Sequence, residues 1–305
     1  MVHSLAKITS VLPSPRRVYP ASKKISKDNF DKLSEKFRVY KDLVVNHQDK
    51  HGFIMAEECD SLLYSSLLSC TGIKVDINSA RCEHGRWHRR PTYLPECWEG
   101  PGHRGSTTSR DMMLGLMWHL YHNKDLDSAE ALYQYAKSHN FVMGFGDPAR
   151  LVLMPGLESL LCSLIHKLGG KRRFFSSDQL NFWPTSLTGY EVHLLMLHSL
   201  LKGEIFGHVD TRIMKAYKYY AKKNARNPLH QYAYNLYTSG DFDQIAEILL
   251  DESLWPSDRL PTSLNRSNEW LPARDCDDSY KPREWPVDEF SGGDFLFMAW
   301  LILRS

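Results

Sequence analysis

From about residue 28 to the C-terminus, apolar positions recur at helical spacing, and the alternation of a half-buried strand is hard to find. Two kinds of segment separate. Between 28 and 46, Phe30, Leu33, Phe37, Tyr40 and Val44 form one stripe, with Lys and Asp between them. The stretches 127–140, 208–223 and 241–252 read the same way. One apolar stripe leaves one face for water, so these four predict outer helices. The segments 59–70, 112–121, 151–168, 190–201, 228–237 and 294–303 are apolar nearly all round, as MMLGLMWHLY over 112–121 shows. A helix apolar on every side must be enclosed by protein, which predicts six inner helices. Residues 1–26 are polar and rich in Pro and Lys. They predict a tail or strap ahead of a single domain spanning 27–305.

The connections support pairing. Leu120–Asp127 and Leu236–Asp243 are similar turns, each closing an inner helix and opening an outer one with an Asp expected as N-cap. Leu201-Lys202-Gly203-Glu204 is a looser copy. Six enclosed helices wrapped by wetter ones predict an all-α fold: an α/α toroid, as an incomplete (α/α)6 barrel with long loops at one end. An open solenoid would repeat more regularly. An irregular helical domain is the simpler alternative.

Composition narrows the classes. The chain has 305 residues, 42% hydrophobic and 24% charged, ample for a large core. Thirty-eight basic and thirty-six acidic residues give +2, so no nucleic-acid partner is expected. No apolar run reaches the length of a transmembrane helix, so no membrane partner is expected either. The N-terminal residues lack the continuous apolar stretch of a secretory signal. The expected location is cytoplasmic, or outside after release by lysis or carriage on a particle. Six cysteines (59, 70, 82, 97, 162, 276) without paired spacing read as reduced thiols.

Candidate chemistry concentrates in the loops that enter the predicted inner helices. They hold six of the eight tryptophans: Trp87, Trp98, Trp183, Trp255, Trp270 and Trp285. Flat indole faces suit the C–H faces of sugars, and they equally serve to pin a loop to the body. Loop 81–110 carries six arginines (81, 86, 89, 90, 104, 110) and three histidines (84, 88, 103), a basic concentration suited to a uronate, another carboxylate or a phosphate. A solvated loop with local ion pairs is the plain alternative. Glycosidic hydrolysis needs two opposed carboxyl groups. Asp111, with one of Glu57, Glu58 or Asp60 ahead of the neighbouring inner helix, could supply them. Against this, first-turn acids also complement the helix dipole, and Thr108-Ser109-Arg110-Asp111 fits a capping box with Thr108 as N-cap. Asp147-Pro148 has the form of a plain helix start, with Arg150 just behind it, and Asp294 reads as a cap.

No metal or cofactor is expected. Cys82, His84, His88, Cys97 and His103 could assemble a tetrahedral zinc set, but their spacing matches no familiar finger. His119, His122, His193 and His198 read as satisfied core histidines. No GxSxG, P-loop, GxGxxG or HExxH is present. The Gly-rich piece 143–147 lacks the strand context of a dinucleotide site.

With its six inner segments, its Asp-bearing turns, the Ser109-Arg110-Asp111 helix opening and the closing Ser291-Gly292-Gly293-Asp294-Phe295-Leu296 helix, the chain resembles the six-hairpin, or α/α-toroid, carbohydrate-active enzymes. That group includes glycoside hydrolases, such as the unsaturated glucuronyl hydrolases, and related polysaccharide lyases. The resemblance is architectural, spans about residues 28–305 and points to no specific family. It departs from the pattern in showing only four outer helices. In these enzymes acidic residues at inner-helix ends often act as acid and base, which implies that role for Asp111 and Glu58. The resulting expectation is a glycoside hydrolase acting on an anionic or complex oligo- or polysaccharide. Trp87, His88, Arg89, Arg90, Tyr93, Trp98, Arg110, Arg150 and Trp183 would bind the substrate. Two alternatives stand beside it: a non-catalytic helical protein that binds a partner or builds an assembly, and a lyase using Tyr93, His88 and Arg90.

Overall fold

A computed structural model describes residues 16–54, 61–82, 85–89, 91, 99–100, 103–104, 108–143, 153, 155–181, 189–260 and 292–304. The structure is mostly helical. Among the described residues, ten helices follow the predicted segments: α1 (Lys27–Val45), α2 (Ser61–Cys70), α3 (Arg110–His122), α4 (Leu126–Ser138), α5 (Pro155–Lys167), α6 (Gly189–Phe206), α7 (Thr211–Lys223), α8 (Pro228–Leu236), α9 (Asp243–Leu250) and α10 (Gly293–Leu303). Two minimal antiparallel strand pairs accompany them: β1 (Arg17–Val18) with β4 (Val209–Asp210), and β2 (Glu99–Gly100) with β3 (His103–Arg104).

Burial separates the two kinds of helix. Eight of the ten α2 residues and nine of the eleven α10 residues are buried, so each is enclosed on all sides. In α1, by contrast, only Leu33, Lys36, Tyr40 and Val44 are buried, at heptad-like spacing, with Phe37 and Leu43 partly buried beside them.

Direction follows from which residues meet. Gly115 of α3 packs on Leu63 of α2, and His119 Nδ1 lies 2.6 Å from Ser69 Oγ. Moving along one helix moves the contact the same way along the other, so α2 and α3 are parallel. Asp111 meets His193, the Trp118 indole donates to the Leu197 carbonyl at 3.1 Å, and His122 meets Glu204, so α3 and α6 are parallel over their length. Trp118 also packs on Phe297, and His122 on Trp300, which aligns α10 with α3. Gly203 faces the Tyr237 hydroxyl and His193 acts on His230, which aligns α8 with α6. These five inner helices therefore share one N-terminal pole and one C-terminal pole.

The outer helices run the other way. Tyr217 of α7 stacks on Tyr237, the Ala221 carbonyl accepts from Gln231, and Asn224 donates to His230, so α7 ascends as α8 descends. Tyr40 stacks on Phe295 at 4.0 Å while Val44 lies beside Gly292, so α1 is antiparallel to α10. Residues 16–26 form a strap at the C-terminal pole, with β1 on β4 and Lys23 donating to the carbonyls of Leu301 and Arg304.

Several local expectations change. Ser109, not Thr108, is the N-cap of α3, accepting from the Met112 amide. Helical backbone begins at Arg110 and Ser109 is still extended, so the Ser109 oxygen is the one that reaches the third amide of the helix. Asp125 caps α4 as expected. Asp241 instead accepts the Asp243 amide from ahead of the Phe242 cap position, because Asp243 is drawn to Ser26 and Asn29 on the strap and α1. The cap position of α10 is Gly292, at φ 65°, a left-handed conformation open to glycine, with Asp294 inside the first turn. Helix α5 begins at Pro155, four residues after the predicted start; Asp147-Pro148 and Arg150 lie outside the described residues.

Candidate functional site

At the N-terminal pole, Ser109 fixes the start of α3 and places Asp111 in its first turn. The carboxylate accepts its own first-turn amide and also reaches across to α6. It faces Nε2 of His193 in α6 at 3.7 Å, and the two side chains are 6% and 4% exposed. Burial pushes the Asp111 carboxyl up, but the His193 imidazole and the Arg110 guanidinium outweigh it and hold the group below the usual carboxylate range. The amides of the α3 first turn favour the same charged form. Behind His193 lies His230 of α8, whose Nδ1 receives the Asn224 side-chain amide at 3.1 Å. Burial, then the charge of His193, pull His230 down to about 3, so it is neutral. Three inner helices thus each place one buried polar side chain at this pole: Asp111, His193 and His230.

The height of Asp111 is set by packing. Helix α2 starts at Ser61, two residues before the Leu63–Gly115 contact, and Asp111 sits four residues before it on α3. At about 1.5 Å per residue, the first residue of α2 stands within about 3 Å of the level of Asp111. Glu57, Glu58 and Asp60 precede that residue in the chain and lie outside the described residues, as do Arg90, Tyr93, Trp98, Arg150 and Trp183.

The described part of loop 81–110 is anchored from both sides. Gly85, at φ 85°, presses onto the Ala131 backbone of α4. The His88 amide donates to Ala80, and the Arg89 carbonyl accepts the Leu62 amide at 2.7 Å, satisfying a free N–H at the start of α2. Trp87 is 1% exposed and Trp255 is fully buried. Both rings pin the chain to the body; Trp87 presents no open face for a sugar. His88, Arg89 and Arg110 remain half-buried at the Asp111 end.

Two histidines behave as core residues. His198 contacts the Gly156 carbonyl at 3.0 Å, and burial pulls it to about 3; His119, beside Ser69, is pulled to about 4 by burial. The other two face carboxylates, His193 toward Asp111 at 3.7 Å and His122 toward Glu204 at 3.2 Å. Their spacing gave no signal of this, because the partners come from other helices. The signal that was present is a polar residue at an otherwise apolar inner-helix position. Glu158 is a further buried acid, raised by burial, but it lies beside Cys162 and Tyr133 on the α4 side rather than with Asp111. No cluster of three or more metal-ligating side chains occurs among the described residues.

The C-terminal pole carries a cleft of about 470 Å³, lined among others by Lys23, Tyr121, Glu204, Tyr232, Tyr237 and Arg304. Glu204 is bound by Arg304 and by His122, at 3.2 Å from the latter. Burial raises the Glu204 carboxyl, and these two partners more than reverse it. Burial, then the charge of Arg304, bring Lys23 down to about 8. Its ammonium closes the open carbonyls at the end of α10.

No family model, curated protein or solved structure matches the chain. No helix of the described residues is long and apolar enough to cross a membrane.

Proposed function

We propose that the protein is a glycan-cleaving hydrolase built on an incomplete α/α toroid, with the reaction at the N-terminal pole of the inner helices. The observation that carries this reading is the Asp111–His193 pair. A carboxylate and an imidazole are withdrawn from water at the shared N-terminal pole of parallel helices, and Asp111 is kept charged there. Burying such a pair is costly for stability alone, and perturbed titrating groups of this kind concentrate at functional sites. In this reading Asp111 is the ionised member of the acid/base couple, acting on water or on the anomeric carbon. One of Glu57, Glu58 or Asp60, at the entrance to the adjacent α2, is its proton-donating counterpart. Arg89 and Arg110, with Arg90 and Arg150, hold an anionic substrate group.

The test is Asp111→Asn, which preserves shape and removes the charge. Reducing-end release is measured over a panel of neutral and uronate-bearing glycans. The wild-type chain is expected to cleave an anionic member, with the variant at least about a thousandfold slower at a temperature where circular dichroism shows it still folded. Wild-type turnover by the variant, or no cleavage of any glycan, removes the proposal.

The same pair favours a second reading, a polysaccharide lyase. An imidazole oriented by a carboxylate is a competent base for removing the proton next to a uronate carboxyl group. Products absorbing in the near ultraviolet identify this chemistry, and a hydrolase forms none.

A further inference from the structure

The end of the molecule opposite Asp111 carries an unusual projection. Phe174 is 92% exposed, at the tip of the turn that follows α5. The turn belongs to the C-terminal pole: Gly170 packs against Leu126, at the start of α4, which directly follows the end of α3. It is held firmly. The Arg173 guanidinium binds the Glu130 carboxylate and stacks 4.3 Å over the Tyr133 ring. The Ser176 amide returns to the Arg173 carbonyl, and Ser159 Oγ donates to the Ser177 carbonyl. Phe174 is thus displayed by a fixed support.

Its surroundings are cationic. Lys171 and Arg172 are exposed on the same turn, and Lys167 is exposed at the end of α5 just before it. Four residues beyond the tip, Asp178 binds Arg17 at 3.6 Å and His208 at 2.9 Å. On His208 packs a second exposed ring, Tyr19, 62% accessible and also on the strap at this pole. Arg17 stays 61% exposed despite its pairing.

We infer that this pole docks onto an anionic lipid surface, with Phe174 entering the headgroup–acyl boundary and Lys167, Lys171, Arg172 and Arg17 facing the headgroups. The surface chemistry selects the partner. Phe174 is 92% exposed, and the exposed side chains beside it, Lys167, Lys171 and Arg172, are all cations, the combination of one apolar ring within a basic rim that an anionic interface takes up. A bilayer boundary accepts a lone projecting ring, and its negative surface attracts the flanking cations. No spanning helix is involved, in keeping with the helix lengths. The inference is independent of the hydrolase reading, because it concerns the other pole and leaves the Asp111 end facing away.

The test is flotation of the full chain with vesicles of phosphatidylcholine alone and with vesicles in which about a third of the lipid is phosphatidylserine. Binding is expected to the anionic vesicles only, and to fade as salt rises. Phe174→Ala should weaken it about tenfold or more, and the double variant Lys171→Glu with Arg172→Glu should abolish it. All three positions are exposed or at the tip, so melting temperatures should not move. Absence of binding to anionic vesicles overturns the inference, as does Phe174→Ala binding like wild type. Phe174-dependent capture of a single-stranded oligonucleotide without vesicle binding overturns it in favour of nucleic acid.

Discussion

Gly115 sits in the middle of α3, where a glycine is normally a weakness. Replacing it with alanine should raise helix propensity and reduce the freedom of the unfolded chain, stabilising by about 0.5–1 kcal/mol. The packing of α2 predicts the opposite sign. A methyl group at this position would stand 2.7 Å from the Leu63 carbonyl oxygen and 2.8 Å from its Cα. Ordinary contact begins near 3.4 Å, and both obstructing atoms are backbone, so no side-chain rotation relieves the clash. Helix α2 would have to withdraw as a unit from a dry interface. Overpacking of this kind costs about 1–3 kcal/mol, and against backbone atoms that cannot rotate away the upper part of that range applies, which leaves a net loss of about 1–2.5 kcal/mol after the propensity gain. Urea and thermal unfolding measure it. The melting temperature of Gly115→Ala should fall by roughly 2–4 °C per kcal/mol lost. Adding Leu63→Ala removes only the Cδ1 contact at 3.0 Å and should not rescue the variant. A Gly115→Ala protein at or above wild-type stability would refute the close α2–α3 packing, and with it the level assigned to Asp111.

Acid should unfold the protein earlier than its carboxylates alone require. His119 is held at about 4, and His198 and His230 at about 3, all below the free value of 6.5. As pH falls below 6.5 the unfolded chain takes up these protons first. Stability that is complete above 6.5 is therefore lost towards pH 4, by about 1.4 kcal/mol per pH unit for each histidine. Urea midpoints that stay flat from pH 7 to 5 would contradict this. Trp87→Ala should lower stability by about 3–5 kcal/mol, since a fully packed indole is removed. Trp87→Phe should be far milder, because the Trp87 Nε1 has no hydrogen-bond partner among the described residues. Unchanged stability in the alanine variant, read by the same unfolding assay, would mean that the ring is not a packing element.

The layering was legible because it depends on how many faces of a helix are apolar, and that is written locally. Segments 59–70 and 294–303 advertise enclosure in every residue, and α2 and α10 are enclosed. The cap of α3 was misplaced by one residue because Thr108 and Ser109 are chemically equivalent candidates, and only the backbone decides which oxygen reaches the Met112 amide. The partner of Asp111 was not legible at all. His193 lies 82 positions away, and nothing local distinguishes it from His198, which merely contacts a carbonyl. A tryptophan in a loop suits a wall for sugars and a pin equally, and composition does not separate the two; the burial of Trp87 does.

The parallel alignment of the inner helices has an electrostatic consequence that ties the two poles together. Each helix presents free amides at the Asp111 end and free carbonyls at the other, and five aligned helices add their fields. Several charges follow that field. Asp111 and Asp294 are buried in the first turns of α3 and α10. Lys23 and Arg304 are drawn to the end of α10, His122 to the end of α3, and Lys167 to the end of α5. The helix field favours an ionised carboxylate at the N-terminal pole, where the proposed hydrolase or lyase would use one, whereas Glu204 at the opposite pole is kept below the usual range by its direct partners His122 and Arg304. A surplus of cations is easiest to keep at the C-terminal pole, where Lys171 and Arg172 surround Phe174. One fold direction thus separates the proposed chemistry from the proposed docking, and a variant at either pole should leave the other's readout intact. A Phe174→Ala protein that lost glycan cleavage in solution would break that separation.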